Sequence, residues 1–165
     1  MELLAAISQT SLGTWIRESG SLLGYPTFIM LHTVGLAILV GLSSIVALLV
    51  LGSAPRSVLA ATRRLFPYMW LGFVINAVSG LILMSADAPT LAMNRVMWVK
   101  FVFIVAVIPI LWSLRRYVGE QASEQATRPP ARGRLLAGAT LFCWVGAIVT
   151  GRLTAYIGAP EFPLG

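Results

Sequence analysis

The chain has 165 residues, of which 58% are hydrophobic and 11% charged. A soluble domain carries about 25% charged residues, so this few could not cover a soluble globule of the same size. The net charge of +6 does not mark a nucleic-acid partner, because the arginines sit in short clusters between long apolar runs rather than in one patch.

Met1 to Ser19 comes first. Leu4, Leu12, Trp15 and Ile16 would make an apolar face, but Ser8 and Ser11 interrupt it and Gly13 weakens a helix. It reads as a short interfacial helix. It does not read as a signal peptide, because Glu2, Arg17 and Glu18 precede a long apolar core rather than a short one behind basic residues.

Four apolar runs follow. No Asp, Glu, Lys or Arg lies between Glu18 and Arg56, and residues 22–51 form the first predicted span. The second covers residues 65–86 and is uncharged. The third, residues 96–114, carries Lys100 near its start and Pro109, which is expected to kink or break it. The fourth covers residues 135–156 and holds Arg152 near its end. A span needs about 20 apolar residues, and backbone groups in lipid must be satisfied within the segment, so each run is a helix. The absence of a polar stripe at helical spacing excludes a soluble bundle. The stretch from Gly119 to Gly133, with Pro129 and Pro130, is expected to be a mobile connection.

Charge sets the orientation. Arg56, Arg63 and Arg64 lie between the first two runs, and Arg115, Arg116, Arg128, Arg132 and Arg134 between the last two, against Glu120 and Glu124. The other side holds Arg17, Arg95, Lys100 and Arg152 against Glu2, Glu18, Asp87 and Glu161. The excess of basic residues places both arginine-rich loops in the cytoplasm and both termini outside it. These arginines set topology and meet anionic lipid. The expected fold is therefore all-α: one integral membrane domain over residues 1–165, an antiparallel bundle of four transmembrane helices.

Small residues mark packing faces, since they let backbones approach. Gly72, Asn76 and Gly80 recur on one face of the second span, and Ala139, Cys143, Gly146 and Thr150 on one face of the fourth. His32, Gly35 and Ser43 share a face of the first, with Tyr25 and Phe28 above it. These faces suit a compact bundle, and they equally suit a seam for a partner protein or a second copy of the chain.

Few residues could carry chemistry. His32 is the only histidine and lies inside a span, where polar groups are costly and often functional. Two readings stand: a ligand to metal or haem, or a buried imidazole hydrogen-bonded to a neighbouring helix. One histidine cannot supply both axial ligands of a bis-histidine haem. Lys100 and Arg152 lie about a turn inside the outer ends of their spans, where they snorkel to the interface or hold an anion such as a haem propionate. Asp87 could pair with either, and Asn76 is typical helix glue. Met30, Met69, Met84, Met93 and Met97 offer sulfur that suits Cu(I), but their spacing matches no motif. The lone cysteine, Cys143, excludes an internal disulfide and a cysteine metal cluster. Phosphate-binding glycine loops, nucleophile elbows and metal-spaced histidine pairs are absent from the sequence. That points away from a stand-alone enzyme.

Several short motifs occur together: Tyr25-Pro26, Leu31-His32, Gly35-Leu36, Ser79-Gly80-Leu81, Ser85-Ala86-Asp87, Asn94 with Trp98 and Lys100, and Gly151-Arg152 with Ala155-Tyr156. Over residues 20–157 they resemble a family of bacterial four-helix membrane proteins known only as a domain of unknown function. That resemblance implies a bacterial inner-membrane location and no particular activity. A looser similarity is to copper-resistance D type and membrane protoporphyrinogen oxidase type four-helix proteins, which place a histidine in an early span and a lysine early in the third. It implies His32 as ligand with Lys100 beside the cofactor, although the further histidines of those groups are missing here. Three functions follow as expectations: a haem b-binding or redox-associated subunit using His32, Lys100 and Arg152; a cofactor-free accessory or anchor subunit; and a copper-handling protein using His32 and methionines.

Overall fold

A computed structural model describes Thr10, Thr14, Trp15 and residues 24–86, 92–121 and 131–157. Among them the chain is all helix, and four helices are long and apolar enough to cross a membrane. They are α1 (Tyr25–Leu51), α3 (Phe66–Ala86), α4 (Arg95–Gln121) and α5 (Ala131–Ile157). A short α2 (Arg56–Thr62) and a 3-10 turn (Arg63–Leu65) lead into α3.

The ends of the elements follow local chemistry. Pro26 sits in the first turn of α1, where its missing N–H costs nothing. At the other end Ser53 takes the left-handed conformation, with φ 56°. The amides of Ser53 and Ala54 then bond back to the carbonyls of Val50 and Leu49 at 3.3 and 3.0 Å. This is the glycine-favouring helix stop built with a serine instead. Asn94 caps α4, its Oδ1 accepting from the Val96 amide at 2.9 Å.

Three expectations need correction. The connection between the first two spans is not a loop: α2 forms there because Leu59 and Thr62 find buried positions. Of the kink or break expected at Pro109, the break is absent, for α4 runs unbroken through that residue, whose side chain is exposed. The stretch from Gly119 to Gly133 is also shorter as a connection than expected. Helix α4 continues to Gln121 and α5 begins at Ala131, because Tyr117, Val118 and Gln121 still bury against neighbours beyond the apolar run. Residues 122–130 lie outside the described residues, as do Asp87 and most of Met1 to Ser19. Of that N-terminal segment, Thr14 and Trp15 are helical.

Helix α1 packs most extensively on α3, and α4 on α5, while contacts between α1 and α5 join the two pairs. Gly35 and Gly72 bring the α1 and α3 backbones together. A Cβ at Gly35 would lie 2.7 Å from the Asn76 amide nitrogen, and one at Gly72 would lie 3.0 Å from the Gly35 carbonyl oxygen. Between α1 and α5, the buried Trp144 Nε1–H donates to Ser43 Oγ at 2.8 Å. Helices α3 and α4 meet through Trp70 and Trp112, edge to face at 6.3 Å. Tyr25, Trp98 and Tyr156 at one end, and Tyr68 and Trp112 at the other, are exposed as two aromatic belts.

Packing is uneven along the bundle. Val46, Ala47, Val50, Phe66, Met69, Leu114, Val118 and Ala137 are all buried toward the arginine-rich end. At the opposite end, among the described residues, none of α1 before Gly35, of α4 before Val107 or of α5 after Ala147 is fully buried; α3 contributes Ser79 and Ala86. The less tightly filled half is the half that contains His32 and Lys100.

Candidate functional site: a histidine held between two helices

His32 lies two turns into α1 and faces α3. Its Nδ1 lies 2.9 Å from the Asn76 backbone oxygen. A carbonyl can only accept, so Nδ1 carries the proton and donates. Ser79 Oγ, at 3.3 Å from the same nitrogen, can accept alongside it, because the Ser79 hydroxyl donates to Ile75 O at 2.6 Å. The exchange is reciprocal: Asn76 Nδ2 donates to the His32 backbone oxygen at 2.8 Å. In the neutral ring this leaves the lone pair on Nε2.

Gly80 explains how the ring fits there. A Cβ at that position would lie 2.8 Å from His32 Cε1 and 3.1 Å from Nδ1. The imidazole therefore rests on bare helix backbone, a close approach no other residue permits. The face made by Gly72, Asn76 and Gly80 is the surface that holds α1. Asn76 acts as helix glue, as expected, and its backbone also fixes the histidine ring.

Lys100 approaches from α4. It is half-buried, and its stem lies along Gly151 of α5, with Cε and Nζ at 3.6 and 3.8 Å from where a Gly151 Cβ would stand. His32 and Lys100 lie in the same half of the bundle, on α1 and α4. Arg152 is exposed on α5. Asn94 Nδ2 reaches Thr154 O at 3.3 Å and ties the start of α4 to the end of α5.

The other candidates are dispersed. Met30 and Met93 are exposed at 59% and 69%, whereas Met69 is buried toward the other end. Among the described residues no three of His, Cys, Asp and Glu gather as a metal-binding group. Cys143 is buried and free. Two features escaped the sequence. Ser79 shares the histidine proton, and its place one turn beyond Asn76 was the available signal. Trp144 anchors Ser43, and no periodicity announced it. Compared with protein-family models, curated proteins and solved structures, the chain matches none.

Proposed function

We propose that this is a multi-pass protein of the bacterial inner membrane that binds haem b in its outer half, with His32 as axial ligand, and serves as a redox-associated membrane subunit. The observation that carries this reading is the fixed orientation of the ring. A metal-bound histidine characteristically donates its second N–H to a carbonyl or carboxylate, which sets the tautomer and aims the other nitrogen. Here Nδ1–H is committed to the Asn76 carbonyl, leaving Nε2 to ligate. The residues fit in charge as well: Lys100 would compensate a propionate or another anionic edge. Arg152 lies one residue beyond Gly151, along which the Lys100 stem runs, and would add positive charge at the outer surface. Bound haem would supply one-electron chemistry. The chain's own part is to hold the imidazole and to supply a cation in the same half of the bundle.

A second reading rests on the Asn76 side chain, whose bond to the His32 carbonyl joins two helices whatever the ring does. On that reading the pair is purely structural and the chain is a cofactor-free accessory subunit. Haemin titrated into the protein in maltoside micelles separates the two. The haem reading expects a saturable Soret shift that His32→Ala abolishes and Asn76→Ala keeps, because the backbone carbonyl that orients the ring survives the second substitution. Equal haemin binding by wild type and His32→Ala rejects it.

A further inference from the structure

The opposite end of the bundle holds a second site, independent of His32. A partly open cleft of about 360 Å³ is lined by Ala60, Arg63, Arg64 and Arg115. It arises because the 3-10 turn after α2 presents two consecutive arginines toward the end of α4. Among the described residues no carboxylate lines it. The Arg115 guanidinium lies 5.7 Å from the centre of the Trp112 ring, within range of a cation–π attraction. Arg56 shares the Ala60 face of α2 one turn earlier. Its Nε and Nη2 are buried with no hydrogen-bond partner, although buried polar nitrogens are nearly always satisfied. Guanidinium groups gathered around a cleft without a counter-charge call for an anion, and their planar forks match the oxygens of a phosphate.

We propose that this cleft is a discrete binding site for a phosphate group, held by Arg63, Arg64 and Arg115, with Arg56 beside it. The cleft lies between the turn that leads into α3 and the last third of α4, and is far larger than the roughly 10–15 Å³ that holds one water. An anionic phospholipid headgroup and a free phosphate offer the same chemistry. A diffuse basic surface would attract anions without regard to side-chain shape, whereas a built site depends on the guanidinium fork.

The test uses the full chain in maltoside micelles, which contain no phosphate. Phosphatidylglycerol retention is read by native mass spectrometry, and inorganic phosphate binding by calorimetry. The triple variant Arg63→Lys, Arg64→Lys, Arg115→Lys keeps the charge that sets orientation and loses the forks. It is expected to weaken binding about tenfold, the scale of one charged hydrogen bond. Arg132→Lys with Arg134→Lys, exposed and outside the cleft, should leave binding unchanged. Phosphate that binds and displaces the lipid identifies a free-anion site. Lipid retention without phosphate binding identifies a headgroup site. Both outcomes support the proposal. It is overturned if wild type binds neither ligand, if the triple variant binds as wild type does, or if both sets of variants weaken binding alike. If the triple variant does not fold, the three single substitutions are read instead, and wild-type binding by all three overturns it.

Discussion

Substituting Gly35 by alanine isolates the contact that brings α1 and α3 together. The added Cβ would sit 2.7 Å from the Asn76 nitrogen and 2.9 Å from the Gly72 oxygen, about 0.5–0.7 Å inside the 3.4 Å at which ordinary contact begins. Both obstacles are backbone, so no side chain can swing aside and the helices must part. Parting them stretches the two hydrogen bonds one turn away, His32 Nδ1–Asn76 O and Asn76 Nδ2–His32 O, now 2.9 and 2.8 Å. Overpacking costs about 1–3 kcal/mol, and each interhelical hydrogen bond in a membrane contributes roughly 0.6 kcal/mol. The expected loss is thus about 2–4 kcal/mol. Unfolding by dodecyl sulfate in mixed micelles, followed by tryptophan fluorescence, gives the measurement. Gly41→Ala is the matched control, on the same helix with nothing within 4 Å of its added Cβ; it should be neutral or stabilising by up to about 1 kcal/mol. A Gly35→Ala protein as stable as Gly41→Ala would refute the close crossing.

Three further outcomes are expected. Gly80→Ala forces the imidazole off the α3 backbone and should weaken haemin affinity at least about tenfold, as loss of an orienting hydrogen bond does; unchanged affinity would mean the ring orientation is irrelevant to binding. Ser53→Gly relieves a left-handed serine and should stabilise the protein by about 1 kcal/mol in the same unfolding assay; a loss instead would show that the turn is not strained. A double-mutant cycle between Ser43→Ala and Trp144→Phe should give a coupling of roughly 0.6 kcal/mol, and additive effects would remove the α1–α5 bond from the stability of the bundle.

The spans were legible because a gap in charge longer than a bilayer needs no structural context to interpret. The glycine face of α3 was legible too, since spacing by four and small volume together define a contact surface. Rotation of the helices was not. In lipid the outward and inward faces are both apolar, so the sequence does not say that Lys100 lies half-buried along Gly151 while Arg152, equally shallow in its span, stays exposed. Nor did it say that the His32 ring and the Asn76 backbone are partners, although each residue was conspicuous alone. The arginine cleft was hidden differently. Arg63 and Arg64 are far from Arg115 in the chain and meet it only because α2 is a helix and α4 extends past its apolar run, and a hydropathy boundary shows neither. Trp144 looked like one more apolar residue until its indole N–H found Ser43.

Binding of haem through His32 is decided most directly by an absorption spectrum, oxidised and then dithionite-reduced, of protein purified gently from its native membrane. Haem ligation gives a Soret band and a reduced α-band, both absent from His32→Ala protein that still folds. A featureless spectrum from pure, folded wild-type protein, or haem bands that persist in His32→Ala, contradicts it.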